Sequence, residues 1–216
     1  MGLSSFEEVS REEFEQALEK SIASARFRKQ YARFAPHVAD SYMLHLGHLK
    51  TAGHFRAPGY CTLITGNLHV EGIVDLQNPD GCDEGGLFIV LGDLVCHSFF
   101  NEYGKCAFVD GNLDARDLLV AAFGDSALVV TRHLSTNFFY GEDIWAEVGA
   151  GATMEYGAGY CLPIGYTAAA AEAITPNHGE EASLALLNLG RTEELYPHDF
   201  REHLLTGKPL LKRGSL

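Results

Sequence analysis

One short pattern recurs four times in the middle of the chain, and it restricts the possible folds more than any other feature. The segments are 62–71, 88–97, 107–116 and 128–137, aligned on Gly66, Gly92, Gly111 and Arg132, which lie 26, 19 and 21 residues apart. Leucine stands two positions after every anchor (Leu68, Leu94, Leu113, Leu134), and a β-branched residue stands two before it (Ile64, Val90, Val109, Val130). Four after the anchor comes a smaller side chain: Val70, Cys96, Ala115 or Thr136. These positions share one parity, so along an extended chain they point to one face. The other parity is mixed and often polar, beginning with Asn67, Asp93, Asn112 and His133. A second apolar pair follows farther on: Ile73-Val74, Phe99-Phe100, Leu118-Leu119 and Phe139-Tyr140.

A unit of about 20 residues with two or three short strands cannot bury its inner face alone, but stacked copies can. The pattern therefore predicts a mainly β protein, a short right-handed parallel β-helix solenoid of four or five rungs whose leucines pile in one column. A β-sandwich also has closely spaced strands, but Asn-Gly hairpin signals are absent between the repeats. The Gly-Asn or Gly-Asp step suits a bend that needs positive φ or local side-chain bonding.

The ends read differently. Ser10 and Glu13 have capping-box spacing, and Phe14, Leu18, Ile22 and Ala25 recur at helical intervals, so a capping helix is expected over 11–34, stopped by Pro36. Ala168 to Ile174 and Ala182 to Leu189 suit partial helix. Pro197 and the Gly207-Lys-Pro209 step bracket a short final helix. The organisation that follows is a helical cap and linker over 1–56, a solenoid over 57–159 and a helical segment over 160–216.

Charge narrows the function. Residues 57–190 carry three basic side chains (Lys105, Arg116, Arg132) against 18 acidic ones, within a chain of net charge −13. Such a field repels phosphate backbones, which argues against nucleic acid; it serves solubility or attracts a protein partner with a basic surface. No apolar run approaches the about 20 residues of a membrane span, and the first residues lack the basic start and apolar stretch of a signal peptide, so a cytoplasmic location is expected. Cys61, Cys82, Cys96, Cys106 and Cys161 are odd in number and contain no C-x-x-C pair, which points to buried reduced thiols.

No nucleophile elbow, Walker loop or H-E-x-x-H motif is present, so no catalytic residue, cofactor or metal is assigned. His45, His48 and His54 are close in sequence, but no carboxylate or cysteine completes a ligand pattern there. Glu71, His97, Arg116 and Asn137 each stand five past an anchor and can form a polar column. Glu71, Asp114 and Asp117 are the carboxylates available to a carbohydrate-active β-helix, although nothing in their spacing selects them. Two acidic clusters are the candidate partner-binding residues: Asp80, Asp83 and Glu84 in the insertion that lengthens the first repeat, and Glu142, Asp143 and Glu147 around Trp145.

The recurring aliphatic-Gly-[Asn/Asp]-Leu rungs resemble those of bacterial short-repeat β-helix proteins, including the bactofilin-like polymer-forming group. The closing Phe200–Leu211 segment resembles the tail of bacterial cytosolic proteins that append a small helical end to such rungs. Some solenoids of this sort are antidotes to secreted toxins. The resemblance implies a non-enzymatic binding protein, in its most concrete form an immunity protein that neutralises a basic toxin domain, as a monomer or small homo-oligomer. The alternatives are a self-assembling solenoid and a β-helix enzyme acting on carbohydrate.

Overall fold

A computed structural model describes residues 6–21, 24–34, 41–77, 85–102, 105–122, 126–162, 180–189, 196–210 and 212. The chain winds six times around one interior, and each turn lends a strand to each of three sides. Side one stacks β2 (Tyr42–His45), β5 (Cys61–Ile64), β8 (Leu87–Val90), β10 (Cys106–Val109), β12 (Ala127–Val130) and residues 145–148 of β13 (His133–Val148), all parallel. Side two stacks β3 (Leu49–Thr51), β6 (Leu68–Val70) and the opening residues of β9 (Leu94–Glu102), β11 (Leu113–Ala122), β13 and β14 (Gly151–Leu162). Side three begins with β4 (Phe55–Arg56) and β7 (Ile73–Asp75) and continues through the later residues of the same long strands. The chain is thus a parallel β-solenoid.

The expected leucine column exists. Leu49, Leu68, Leu94, Leu113 and Leu134 pair in succession, and Ala152 ends the row. Ile64, Val90, Val109, Val130 and Val148 form a second column, and Phe55, Val74, Phe99, Leu119 and Phe139 a third. All three meet in one buried cluster. Fully burying one such side chain contributes about 2 kcal/mol, so the repeated columns dominate the stability of the stack. Two turns lie beyond the four repeats. The first opens at Tyr42, inside the stretch read as cap and linker; it keeps Gly47 and Leu49 but puts His45 where the other turns have a β-branched residue. The last has Ala152 in the leucine row.

The repeated glycines have a different cause from the one expected. Gly66, Gly92 and Gly111 are not among the positive-φ residues. They are required because successive turns touch there: a Cβ on Gly66 would lie 2.7 Å from the Gly47 carbonyl, and one on Gly111 would lie 2.5 Å from the Gly92 oxygen. The residue after each glycine then ties the turns together. The Asn67 N–H donates to His48 Nδ1 at 2.9 Å, the Asp93 N–H to Asn67 Oδ1 at 3.0 Å, the Asn112 N–H to Asp93 Oδ1 at 2.8 Å and the His133 N–H to Asn112 Oδ1 at 3.2 Å. The bonding expected within a bend runs instead between turns, which satisfies corner N–H groups that no strand ladder reaches.

Sides one and three are sheathed. The strands of side one are apolar at both parities, so Leu63, Ile89, Phe108 and Val129 point outward and need a cover. Phe14 and Leu18 of α1 (Arg11–Ser21) and Phe27 of α2 (Ala25–Phe34) supply it. The capping box is present: the Glu13 N–H donates to Ser10 Oγ at 3.2 Å and the Ser10 N–H to Glu13 Oε2 at 2.9 Å. These two helices lie along a flank, and the edge of β2 is covered by β1 (Glu7–Val9), paired antiparallel. On side three, Phe100, Leu118, Val120, Phe138 and Tyr140 face outward against Leu187, Phe200 and Leu204 from the segments around helices Glu180–Leu186 and Pro197–Leu205. The helix expected over Ala168 to Ile174 lies outside the described residues.

Among the described residues one cation is fully buried. Lys105 is 0% exposed, its ammonium donates to the Gly59 carbonyl at 2.8 Å, and burial holds its pKa down to about 8. Between that value and the unfolded one the unfolded chain binds more protons, so this group's contribution to stability rises with pH. Cys61 and Cys106 act oppositely, because burial pushes both thiols up to about 11 and the unfolded thiols ionise first.

Two outcomes follow from this packing. Gly111→Ala lowers stability by about 2 kcal/mol or more in urea unfolding, since the methyl meets backbone, whereas Gly53→Ala, with nothing within 4 Å of its Cβ, is near neutral. Lys105→Met unfolds at a higher temperature than the parent at pH 7, and the gap narrows as pH rises past the folded lysine pKa.

Candidate functional site

Side two is the side on which no helix packs among the described residues. Its strands alternate, with leucine and a small residue inward and one side chain outward. The outward column runs Lys50, His69, Val95, Asp114, Ser135 and Thr153, one residue per turn in register. Parallel pairing sets these side chains about 4.8 Å apart on a rigid support. Asp93, Asp114, Glu71 and Glu155 give this side its negative charge, against Lys50, Arg116 and Arg132. Glu71 and Lys50 approach to 3.7 Å as an exposed pair, which contributes little to stability.

At the edge between sides two and three the register shifts at two levels: Val70, Glu71 and Gly72 span what Cys96 and His97 span on the next turn, and β11 shifts against both of its neighbours. Ala115 pairs with Cys96 below and Thr136 above, but the next pairings are Leu118 with Ser98 and with Phe138. Arg116 and Asp117 therefore oppose one residue on each neighbouring strand, a β-bulge of the kind that re-aims a side chain. Asp117 is directed into a groove of about 630 Å³ between the stack and the segment after the final helix, lined by His54, Glu71, His97, Asp117, Leu204 and Lys208 among others. Burial pushes the Asp117 carboxyl above the usual aspartate range, opposed by the charges of His97 and His203. His97 Nδ1 lies 3.0 Å from the Ser98 hydroxyl, and His203 Nε2 lies 2.9 Å from the Pro209 carbonyl. His54 Nδ1 accepts the Ile73 N–H at 3.1 Å, which leaves its proton on Nε2. A neighbouring cavity of about 210 Å³ shares His54, Ile73 and Leu204 with the groove and adds Phe55, Phe100 and Leu205; the Arg201–Asp75 ion pair, at 2.9 Å, lines it as well.

The residues singled out from the sequence are dispersed. Asp80, Asp83 and Glu84 lie outside the described residues. Glu142 and Asp143 are half-buried, and Glu142 accepts the Tyr140 hydroxyl. Glu147 is 3% exposed, on the outer face of side one beside the flanking helices. Trp145 stacks under the Arg33 guanidinium at 3.8 Å and meets Phe34, so it serves helix docking. In the polar column, Glu71 and His97 line the groove, while Arg116 and Asn137 are exposed. His48 and His54 are spent on backbone N–H groups, and no group of three or more potential metal ligands occurs among the described residues. Sequence reasoning named Asp117 only as one carboxylate among several. Spacing did not single it out: Leu113 to Leu118 holds one residue more than Leu94 to Ser98, but Leu68 to Ile73 in the first repeat has the same length.

No family model matches the chain, and neither a curated protein nor a solved structure matches it. Among the described residues no helix is long and apolar enough to cross a membrane.

The half-buried Asp117 carboxyl makes a testable prediction. A raised folded pKa means that ionised Asp117 costs stability once pH exceeds that pKa, and costs nothing at pH values where both states are protonated. Asp117→Asn therefore melts above the parent at pH 7, and the two converge near pH 3.

Proposed function

We propose that the protein is a non-enzymatic binding protein that presents side two to a protein partner with a basic surface. The observation that carries this reading is the unequal covering of the stack: the chain lays its own helices over two sides and leaves a rigid, flat, polar third. The outward column of side two takes no part in the buried clusters, so it is free to vary for recognition without disturbing the columns inside. Asp114 in that column and Glu71, Asp93 and Glu155 along its borders offer acceptors to a cationic partner, set among Lys50, Arg116 and Arg132. The most concrete form is an immunity protein that occludes the basic active-site surface of a bacterial toxin domain, a role that asks for rigidity and complementary charge but no chemistry.

The test is co-expression and titration against a basic toxin domain encoded beside this gene. A stable complex with relief of toxicity is expected, together with a loss of affinity of about tenfold or more for the double variant Asp114→Lys, Ser135→Lys at an unchanged melting temperature. Full protection by that double variant removes side two from the interface, and failure to protect against any such toxin removes the immunity role.

A further inference from the structure

We infer that the groove holding Asp117 and the cavity beside it form one binding site for a small organic amine with an apolar body. Three features of the fold converge there. In β11 the corner holds one residue more than in the turns directly below and above it, and this bulge places Asp117 in the groove. That carboxylate has no ion-pair partner among the described residues: the groups that face it are the imidazoles of His97, from the turn below, and His203, from the final helix. Of the cations lining the groove, Lys208 is exposed. The apolar compartment opens off the polar one through their shared His54, Ile73 and Leu204.

The two compartments ask for different parts of one molecule. An ammonium head supplies Asp117 with the charge it lacks, and Glu71 adds a second acceptor farther out. A ring or short chain then covers Phe55, Ile73, Phe100 and Leu205, replacing water against apolar surface. An anion meets two carboxylates at the polar end. A sugar finds acceptors there and polar groups at Arg56 and the Arg201–Asp75 pair, but its hydroxylated ring gives Phe55, Ile73, Phe100 and Leu205 no apolar cover. The ligand is thus an amphipathic cation, and its site lies apart from the centre of side two.

The experiment uses the full chain and follows histidine imidazole resonances and melting temperature during titration with benzylamine, with methylamine, benzoate, benzyl alcohol and glucose as comparisons. Saturable shifts with benzylamine at about 10 mM or below are expected, with methylamine weaker by about tenfold or more because it lacks the ring. Asp117→Asn weakens benzylamine by about tenfold or more, the loss expected for a hydrogen bond to a charged group. Leu205→Ser, at an exposed position, weakens benzylamine and leaves methylamine unchanged. No saturable response to benzylamine overturns the inference. So does equal binding of benzoate, benzyl alcohol or glucose, or benzylamine binding indifferent to Asp117→Asn. None of these outcomes bears on whether side two docks a protein, because that titration reads different residues.

Discussion

Everything in this molecule depends on adjacent turns approaching closely enough for their backbones to pair in parallel. The approach is limited at the first corner of the first four turns, where Gly47, Gly66, Gly92 and Gly111 lie one against the next. A side chain on Gly66, Gly92 or Gly111 would meet the turn below and weaken the ladder, whereas the fifth turn accepts Arg132 at this corner with its N–H bonded to the Gly111 carbonyl. The Asn, Asp and His side chains that follow the glycines act in the same place, accepting the N–H of the next turn where the strand pattern lapses. Close contact and polar satisfaction are therefore two halves of one constraint, and both concentrate at a single edge.

From that constraint the arrangement of covered and open surface follows. Stacked strands with apolar residues at both parities must be covered on the outside, and the chain ends supply the cover for sides one and three. Side two alternates, so its outer face is already compatible with water. The helices consequently do more than cover apolar faces. Along side three, the segment following Pro197–Leu205 creates the wall that turns an exposed strand corner into the groove occupied by Asp117.

Two polar groups, one buried and one half-buried, mark the departures from regularity. Lys105 reaches across two turns to Gly59 at a point where Gly86 leaves room for its stem, with Lys105 Cε 3.4 Å from where a Gly86 Cβ would stand. Asp117 departs differently, through an added residue that breaks register on both sides. The first is enclosed and bonded to backbone. The second faces open space, which is why it reads as a site and the lysine as a structural element.

The sequence alone determined the parallel stack, the leucine column, the capping box at Ser10 and the bracketed final helix, because each rests on spacing within one repeat or one turn of helix. The first and last turns were hidden by single departures at His45 and Ala152. Spacing also showed that glycines recur, but their reason lay in a neighbour 19 or 26 residues away, and a one-dimensional pattern does not show distance between turns. Which side stays bare, the burial of Glu147 and the meeting of Asp117 with His97 and His203 were decided by tertiary structure alone. Each depends on where the terminal helices come to rest or on a shift in strand register, and both are settled by contacts between residues far apart in the chain.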